Sequence, residues 1–558
     1  MGHVFVLRGD ILRLACDAWM LSGDEALYVE GSWLRTPADA LDANDPRLLI
    51  RTYFGAVPGG WVADPKRIRQ PPNWGRASRR VASFVDWPDD LPRPYLANVG
   101  GGRSTPAEWY LDAVDEFVAT ARMDLAARGS TRHGRRPKPL LAVPAVGTGH
   151  GGGARRKAAM IRSVLDRLNV LAREHDVDLA LVTYSEGAYA AAQAIRREGD
   201  VVDSWTNGSA AALPSPDGCW ASLAELPGLA RALPTLRALA RRASRGELVL
   251  FLGAGVSMAA GLPGWRDLLD ELARSAGLGD ELEALRTLDP LDRARIVEEH
   301  SGGRDAFRLR IAARLDVAHH AVAHSLLAAV PVMEVITQNY DSLFELASET
   351  IAPTTVVPGA RRPEGSRWLL KMHGCIRTPG EIVLTREDYL RYGDRRAALG
   401  GIVQALLLTR HMVFAGFSLD DPNFHRIVDD VRKAVHPNAT ASGPATQTPF
   451  GTALLLQPDR MREQLWRDDL AFCAVHDDVR DAAGAARAFE IALDYLAYRA
   501  TTSAAYLMDA DFSHALDEGE IALRDALAAI AAGRERFAGS PAWPHVEALL
   551  AKLGAGKR

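Results

Sequence analysis

The chain has 558 residues, more than one hydrophobic core supports, so about two to four domains are expected. Its 47% hydrophobic and 24% charged residues are typical of a globular protein, and its formal net charge of -4 gives no electrostatic reason to expect nucleic acid as a partner. The four cysteines lie too far apart in sequence to form a CxxC pair, which argues against a disulfide scaffold and a cysteine-based zinc module.

The N-terminal sequence MGHVFVLRGD lacks the basic segment and apolar segment of a secretory signal. No run of about 18 apolar residues occurs in the chain. These two features predict a cytoplasmic protein that has no membrane partner.

Strand-like and helix-like segments alternate along the first part of the chain, which predicts a three-layer α/β domain with mixed strands. The predicted strands lie at 4–7, 15–21, 80–85, 95–99, 139–146 and 179–184, and the predicted helices at 109–125, 157–175 and 188–197.

Two segments of this domain suit a phosphate ligand. Gly9 and Asp10 follow the first predicted strand, and a second loop contains Gly147, Thr148, Gly149 and Gly151. Glycine-rich loops bring several backbone N–H groups against a phosphate because no side chain keeps the backbone away. The alternative is that the second loop merely connects a strand to a helix.

Both segments resemble the macro-domain family, which binds ADP-ribose. Gly9, Asp10 and Ile11 match its strand-GD-I pattern, and residues 147–151 match its phosphate-binding loop. Macro domains that hydrolyse ADP-ribose esters follow the second strand with an Asn-rich loop, whereas this chain has LSGDE at 21–25. The resemblance therefore implies binding of an ADP-ribose-like nucleotide without hydrolysis.

A segment rich in Ala, Pro, Ser and Gly, followed by a short Leu/Arg helix, predicts an interdomain connection. Beyond it, a predicted strand at 248–252 runs into Gly253, Ala254 and Gly255, with Ser257 at a helix start. Such a turn delivers backbone N–H groups to a pyrophosphate. The third glycine of a G-x-G-x-x-G motif is absent, because Met258 stands at that position.

Three later predicted strands, at 332–337, 368–372 and 411–415, also end in polar or glycine residues. The residues that follow them are Gln338, Asn339 and Asp341, then His373, then Gly416 and Ser418. Because catalytic groups of doubly wound sheets gather beyond the carboxyl ends of the strands, these segments are expected to meet in one crevice. The strand at 452–456 is expected to be the last of this sheet.

Four blocks at these strand ends, GAGVS, TQNYD, KMHG and GFSLDDPN, resemble the Sir2 family of NAD-consuming proteins. The resemblance implies cleavage of the nicotinamide glycosidic bond, and the polar residues of this crevice suit that reaction. The leaving pyridinium becomes neutral as it departs, so the site must stabilise an oxocarbenium-like ribose and position a nucleophile. Asn339 can hold a water or a ribose hydroxyl, and His373 can accept its proton. Asp341 can orient the site or hold the nicotinamide carboxamide. The alternative is that Asn339 and His373 are polar caps of strand ends and that Ser418 is a turn residue.

The four blocks occur in this order along the chain, and the resemblance to the Sir2 family covers roughly residues 246–480. The resemblance implies a doubly wound, Rossmann-like domain in which Asn339 and His373 carry the reaction. Arg266 matches an arginine of the family's P-x-F-R segment. The residues implied to contact NAD are Gly253, Ala254, Gly255, Ser257, Arg266, Gln338, Gly416 and Ser418.

Two departures from the family pattern indicate which branch of the Sir2 family the chain resembles. Protein-deacylating sirtuins carry a four-cysteine zinc module, which this chain cannot build, and Tyr340 replaces the usual Ile or Val of T-Q-N-I-D. The segments NYDSLFE and LTREDY resemble the bacterial Sir2-like NADases of anti-phage defence. The resemblance thus implies an NAD glycohydrolase that consumes NAD as its substrate, requires no metal and acts in abortive defence.

Together these interpretations divide the chain into a macro-like sensing domain at 1–205, a linker with a short helix at 206–245, a Sir2-like NADase domain at 246–480 and a helical C-terminal element at 481–558. An unregulated NADase would deplete its own cell, so the sensing domain or a homo-oligomer interface is expected to hold the enzyme quiet until a signal arrives. The alternatives are an NAD-dependent protein deacylase or ADP-ribosyltransferase, and a non-catalytic nucleotide sensor.

Two further groups of residues are interpreted as structural. His319, His320 and His324 lack an accompanying carboxylate or cysteine pattern, so they are assigned to a helix surface or to the core and not to a metal site. Cys375 has no activating partner visible in the sequence and is interpreted as a packed thiol.

Overall fold

The computed structural model describes residues 1–23, 62–64, 67–69, 80–83, 91–99, 107–128, 136–145, 157–198, 218–359, 367–435 and 449–556. The chain divides into two compact units, one made of Met1–Leu226 with Thr501–Arg558 and the other of Pro227–Ala500. The boundary between the two units at residues 500–501 falls inside the predicted C-terminal element at 481–558. Helical periodicity identifies helices, but it does not identify the core that each helix covers.

The first unit contains eight described strands. They are β1 (Val4–Arg8), β2 (Ala18–Gly23), β3 (Val62–Asp64), β4 (Arg67–Arg69), β5 (Val81–Ser83), β6 (Arg93–Asn98), β7 (Leu140–Pro144) and β8 (Asp178–Thr183). Six of them form a sheet in the order β1-β8-β7-β2-β6-β5, and β3 and β4 form a separate hairpin. The six-stranded sheet is parallel except for the edge strand β5, so it is mixed, as predicted.

Three helices of the first unit pack against this sheet: Ala107–Arg128, Lys157–His175 and Glu186–Glu198. The chain returns to the same unit after residue 500. A 3-10 helix, Ala510–Ala515, lies against the helix Lys157–His175, where Asp511 forms an ion pair of 2.7 Å with Lys157. The other described α-helices of this unit are Glu518–Ala532, Arg534–Phe537 and Trp543–Lys552, and Ile11–Arg13 and Ala221–Glu225 are 3-10 helices.

The second unit is built on a seven-stranded parallel sheet. Its strands are β9 (Leu248–Leu252), β10 (Glu334–Thr337), β11 (Thr354–Val357), β12 (Arg367–Lys371), β13 (His411–Ala415), β14 (Gly451–Leu455) and β15 (Leu470–Ala474). Their order is β11-β12-β10-β9-β13-β14-β15. Strands β10, β11 and β12 lie on one side of β9, and strands β13, β14 and β15 lie on the other side. The strand order therefore reverses at β9.

The prediction that residues 452–456 form the last strand is wrong, because β15 pairs in parallel with β14 beyond it. Residues Leu470–Ala474 form an edge strand of five residues, and two of its interior side chains are only partly buried. So short an apolar run is not distinguished from a loop by its sequence pattern.

The sheet of the second unit is covered by helices. They are Pro227–Ser244, Gly255–Met258, Trp265–Ser275, Leu282–Arg286, Pro290–His300, Arg304–Leu315, Val322–Ala329, Leu343–Ser348, Arg386–Leu390, Tyr392–Thr409, Pro422–Val435, Arg460–Trp466 and Ala482–Ala500. Helix Ala482–Ala500 is buried along most of its length and packs against Pro227–Ser244 and Val322–Ala329. It is therefore part of the core of this unit.

An aromatic cluster supports the central strands. Phe251 on β9, Phe414 on β13 and Phe424 on the helix Pro422–Val435 are at most 1% exposed, with ring centroids 5.2 to 5.4 Å apart. Close-packed rings of this kind hold two strands and a helix in a fixed relation. The loops that follow β9 and β13 are thereby anchored at their bases.

No described helix combines the length and the apolar character that a membrane crossing requires.

Candidate active site

The carboxyl ends of four neighbouring strands are level. Thr337, the last residue of β10, pairs with Lys371 of β12 and with Leu252 of β9, and Leu252 pairs in turn with Ala415 of β13. Each strand leads directly into one of the segments singled out from the sequence. The structure therefore gathers those segments at one edge of the sheet, beside the point where the strand order reverses, which is where ligands of open α/β sheets bind.

The turn after β9 packs backbone to backbone against the turn after β13. Gly253 N–H donates to Ala415 O at 3.0 Å, and Gly255 N–H donates to Gly416 O at 2.9 Å. A Cβ atom added to Gly253 would collide with the carbonyl of Gly416, and one added to Gly416 would collide with the backbone N of Val256. Gly416 also has a φ of 64°, which favours glycine.

These contacts change the interpretation of the glycine turn. The N–H groups of Gly253, Gly255, Val256 and Ser257 all donate to carbonyls of the protein. The close approach of two backbones, and not a set of free N–H groups, therefore explains why glycine stands at positions 253 and 255. Ala254 and Gly255 are exposed and form the rim of the edge.

The Asn339 side chain has a fixed orientation. Its Nδ2 donates to Gly253 O at 3.1 Å and to Ser257 Oγ at 3.2 Å, so both amide protons have acceptors within the protein. The backbone N–H of Asn339 donates to Thr337 Oγ1 at 3.0 Å, which ties the residue to the end of β10. The remaining polar atom of the side chain, Oδ1, is an acceptor that these bonds leave unused.

Asp341 is 7% exposed and accepts two hydrogen bonds. Its Oδ1 accepts from Leu343 N–H at 3.0 Å, at the start of the helix Leu343–Ser348, and its Oδ2 accepts from the Ser257 hydroxyl at 2.9 Å. In this arrangement Asp341 orients the hydroxyl of Ser257.

His373 is buried, with 4% of its surface exposed. Its ring contacts the rings of Tyr389 and Tyr392 with centroids 5.4 and 5.9 Å apart, and its Nε2 lies 3.5 Å from Asp421 Oδ2. Burial lowers the pKa of His373, the Asp421 carboxylate opposes that shift, and Arg396 adds to it. A neutral imidazole that can accept a proton results.

Asp421 is held in place by two further groups. Tyr389 OH donates to its Oδ2 at 2.9 Å, and Phe424 N–H donates to its Oδ1 at 2.8 Å. Asp421 belongs to the GFSLDDPN block and Tyr389 to the LTREDY segment, but their contact with His373 was not predicted. Tyr389 and Asp421 are 32 residues apart in sequence, and the local pattern around each of them gave no signal of this contact.

The other predicted NAD contacts lie around this edge. Gln338 follows β10 directly, and its Nε2 is buried with no hydrogen-bond partner among the described residues. Arg266 is exposed at the start of the helix Trp265–Ser275, whose Trp265 ring contacts Tyr340. Ser418 is exposed, and its Oγ accepts from Asp420 N–H at 3.4 Å.

Cys375 is buried, as the interpretation of a packed thiol expects, and Lys371 is a contact of its Sγ that the sequence did not indicate. The Lys371 ammonium lies 3.4 Å from Cys375 Sγ and forms an ion pair of 2.8 Å with Glu345. Lys371 occupies the last position of a buried strand, where the sequence pattern predicts only an apolar environment. The ion pair joins the end of β12 to the helix Leu343–Ser348, so the local sequence around Lys371 does not predict it.

His324 was assigned from sequence to a helix surface or to the core. The structure places it in the core at 1% exposure, with its Nε2 3.3 Å from Ser257 Oγ. Within the described ranges, no group of three or more His, Cys, Asp or Glu side chains is arranged to hold a metal ion.

The candidate ligand site of the first unit is described in part. Gly9 N–H donates to Thr183 O at 3.0 Å, and Asp10 Oδ1 accepts from Leu12 N–H at 2.9 Å, which caps the 3-10 helix Ile11–Arg13. Gly147, Thr148, Gly149 and Gly151 lie outside the described residues.

A parallel sheet with polar segments at its carboxyl edge, beside the reversal of the strand order, is a doubly wound α/β arrangement. Within it, residues 333–470 match the family model of the SIR2-like domain. This match contains Asn339, His373 and Ser418, and the glycine turn lies ahead of it.

Three curated proteins are similar to part of the chain. The "NAD(+) hydrolase ThsA" of Enterococcus faecium is 30% identical over 206 residues, which are 35% of this chain and 42% of that protein. The "Defense-associated sirtuin 2" of Bacillus subtilis is 28% identical over 207 residues, 36% of this chain and 20% of that protein. The "NAD-dependent protein deacetylase" of Halalkalibacterium halodurans is 34% identical over 112 residues, 19% of this chain and 43% of that protein. The chain spans less than half the length of each of these relatives.

We expect Gly416→Ala to lower the free energy of unfolding of the second unit by about 2–4 kcal/mol, because the new Cβ collides with backbone and φ is positive. The matched control is Gly401→Ala, at an exposed helical position where an added Cβ meets nothing within 4 Å. Urea unfolding followed by tryptophan fluorescence measures both. Equal stability of the two variants would contradict the backbone contact.

The buried His324 makes stability depend on pH. Burial lowers its pKa from 6.5 to about 3, so the folded protein binds fewer protons at this site than the unfolded chain does. Stability is fully present above the unfolded pKa and falls as the pH drops toward the folded pKa, by about 2 kcal/mol at pH 5. His373 and His411, whose pKa values burial also lowers, add to this slope.

We therefore expect His324→Gln to lose about 2 kcal/mol less than the parent between pH 7 and pH 5, since one depressed titration is removed. The control is His300→Gln, because His300 is exposed on the surface of its helix. The measurement is urea unfolding at each pH. The same loss in His324→Gln as in the parent would show that His324 is protonated in the folded state.

Proposed function

We propose that this chain hydrolyses NAD to nicotinamide and ADP-ribose. The observation that carries the proposal is the Asn339 amide, fixed at the carboxyl edge of the sheet with both Nδ2 protons bound and Oδ1 left to accept. The SIR2-like match over residues 333–470 and a relative named an NAD(+) hydrolase support the same activity.

The reaction needs one water and no metal. Asn339 Oδ1 accepts a hydrogen bond from the water and holds it against C1′ of the ribose. As the new C–O bond forms, the C1′–N bond breaks, and its electron pair neutralises the nicotinamide ring. His373 accepts the proton that the water loses, and the Asp421 carboxylate, 3.5 Å from Nε2, stabilises the imidazolium that forms.

The orphaned Nε2 of Gln338 supports a role in binding the substrate. A buried donor without a partner costs about 1–3 kcal/mol unless a ligand satisfies it. A ribose hydroxyl or phosphate oxygen at this edge of the sheet would accept its hydrogen bond. Arg266, Ser418 and Ala254 are exposed around the same edge, where side chains remain available to NAD.

The burial of His373 supports an enzyme that is quiet at rest. Tyr389 and Tyr392 contact its ring, and only 4% of the residue is exposed. Before His373 can take a proton from water, these rings must move or the substrate must open a path. An activating signal could control the enzyme by opening this path to His373.

We further propose that the first unit senses an ADP-ribose-like nucleotide and that the enzyme acts as a homo-oligomer in anti-phage defence. The mixed α/β sheet and the position of Asp10 after β1 support the macro-like interpretation. A relative named a defense-associated sirtuin supports the biological role. Protein deacylation is the second candidate, because another relative is named a protein deacetylase.

The decisive experiment incubates the full chain with NAD and follows nicotinamide release, across protein concentrations and with ADP-ribose-like ligands added. We expect Asn339→Ala and His373→Ala each to lower the rate by about 10²–10⁴-fold, since each removes a group that acts on the attacking water. His300→Ala, an exposed histidine on a helix, is the matched control and should retain the parent rate.

Nicotinamide release at the parent rate from both site variants would contradict the assignment of Asn339 and His373. No release from the parent under any of these conditions would contradict hydrolysis altogether. Nicotinamide release that requires an acetylated peptide, or transfer of the ADP-ribose label to protein, would favour the deacylase or the transferase.

For the first unit, we expect ADP-ribose to raise the melting temperature of the full chain, with about 2.7 kcal/mol of stabilisation at 100 times Kd. The comparison is Asp10→Asn, which keeps an oxygen to cap Leu12 N–H but removes the charge. ADP-ribose can also occupy the hydrolase site, so dependence on Asp10 is the critical result. An identical shift in Asp10→Asn would leave nucleotide sensing by this unit without support.

A further inference from the structure

Three hydrogen bonds converge on the hydroxyl of Ser257, which is 2% exposed. Its Oγ lies 2.9 Å from Asp341 Oδ2, 3.2 Å from Asn339 Nδ2 and 3.3 Å from His324 Nε2. A hydroxyl has one proton and two lone pairs. Because a carboxylate accepts and an amide nitrogen donates, the proton goes to Asp341 and one lone pair faces Asn339. The remaining lone pair requires His324 Nε2 to be a donor.

The other ring nitrogen of His324 independently requires the same tautomer. Ala321 N–H donates to His324 Nδ1 at 3.2 Å, so Nδ1 carries a lone pair and the ring proton lies on Nε2. The histidine thereby caps the first turn of the helix Val322–Ala329 with one nitrogen and reaches Ser257 with the other. Its two contacts lie on different elements, and both are buried.

The surroundings leave little room for solvent beside this chain of hydrogen bonds. A cavity of about 10 Å³ beside it, lined in part by His324, Asn339 and Asp341, has room for roughly one water. In such an enclosed site each bond is stronger than in water, and each member polarises the next. Asn339 and His324 are the two described side chains that donate to Ser257 Oγ, so no third side chain replaces His324 if its donor is lost.

The orientation of Asn339 depends on this chain. Its amide points Nδ2 at two acceptors, Gly253 O and Ser257 Oγ. If Ser257 loses the donor from His324, its hydroxyl is oriented only by Asp341 and Asn339, and it holds the Asn339 amide less firmly. A flipped amide would then direct Nδ2 instead of Oδ1 at the reacting water, which is the wrong polarity for a group that must accept.

We propose that His324 is a positioning residue that acts through Ser257 to fix the amide of Asn339 with Oδ1 toward the substrate. This inference rests on the proposed hydrolysis of NAD. In this role His324 contacts neither the attacking water nor the substrate. It sets the direction of hydrogen bonding from the helix Val322–Ala329 to the end of β10.

Two variants separate this role from simple capping of the helix. His324→Asn has a short amide that can still accept from Ala321 N–H at the place of Nδ1 but cannot reach Ser257. His324→Gln reaches further and can donate to Ser257 at the place of Nε2, but it gives up the cap. If His324 positions Ser257, His324→Gln preserves activity. If His324 only caps the helix, His324→Asn preserves activity instead.

We expect His324→Asn to lower kcat for nicotinamide release by about 10- to 100-fold, the equivalent of one misdirected hydrogen bond in a buried site. The KM for NAD should change by less than about threefold, because the Oδ1 contact acts on the transition state. His324→Gln should recover most of kcat. A kcat in His324→Asn equal to or above that in His324→Gln overturns the proposal.

A double-mutant cycle tests the route through Ser257. If His324 acts only through that hydroxyl, adding His324→Asn to Ser257→Ala costs no further activity, although each change alone does. Full additivity of the two losses overturns the proposal. Melting temperatures of all variants show whether a loss of kcat merely follows a loss of folded protein.

A measurement without turnover separates this inference from the proposed function. Long-range ¹H–¹⁵N spectra of the full chain with labelled histidine, with His324 identified by its absence in His324→Gln, report which ring nitrogen carries the proton. A proton on Nε2 with Nδ1 bare at neutral pH is expected, and a proton on Nδ1 overturns the proposal. A parent protein that shows the expected tautomer but releases no nicotinamide contradicts the hydrolase instead.

Discussion

The direct packing of two glycine turns, after β9 and after β13, is the constraint on which the candidate site depends. Parallel strands stand a fixed distance apart, and side chains on their connecting loops would hold the loops apart as well. Glycine at 253, 255 and 416 removes that obstacle, and the N–H groups of the first turn bind carbonyls of the second. The contact between the two turns also fixes the position of the Gly253 carbonyl, which accepts a hydrogen bond from the Asn339 amide.

The site combines two histidines with opposite surroundings. His373 lies against two tyrosines, and the nearby Asp421 carboxylate partly offsets the cost that burial places on a proton gained there. His324 lies in the core with both nitrogens bound to protein, and burial keeps it neutral far below ordinary pH. One histidine is therefore suited to exchange a proton and the other to keep its proton on a single atom. The residue type alone does not distinguish these two roles of histidine, because the groups that contact the ring determine its protonation and tautomer.

Much of the fold could be predicted from the sequence. Strands such as β9 and β13 are apolar runs bounded by glycine or polar residues, and their bounds agree with the predicted ones to the residue. The segments that follow the strands were also predicted to meet, because the geometry of a parallel sheet requires it. The strand β15 was missed, since an edge strand of five residues with partial burial has no distinct pattern.

The contacts within the site could not be predicted in the same way. Lys371 sits at the end of a buried strand and pairs with Glu345 on a helix. Asp421 approaches His373 from a different loop, and His324 approaches Ser257 from a helix 67 residues away in sequence. Each of these contacts depends on how two elements pack, which periodicity does not encode. A histidine inside an otherwise apolar helix is the one local sign that could have drawn attention to His324.

The course of the chain gives the second unit the character of an inserted domain. It begins with the helix Pro227–Ser244 and ends with the helix Ala482–Ala500, and these two helices pack against each other. A domain whose ends are adjacent can be accommodated within a loop of another domain without separating the halves of its host. Residues 501–556 then complete the first unit, where Asp511 reaches Lys157. The second unit is thus joined to the first by two covalent connections, at 226–227 and at 500–501, and removing the chain beyond 500 would damage the first unit rather than trim the second.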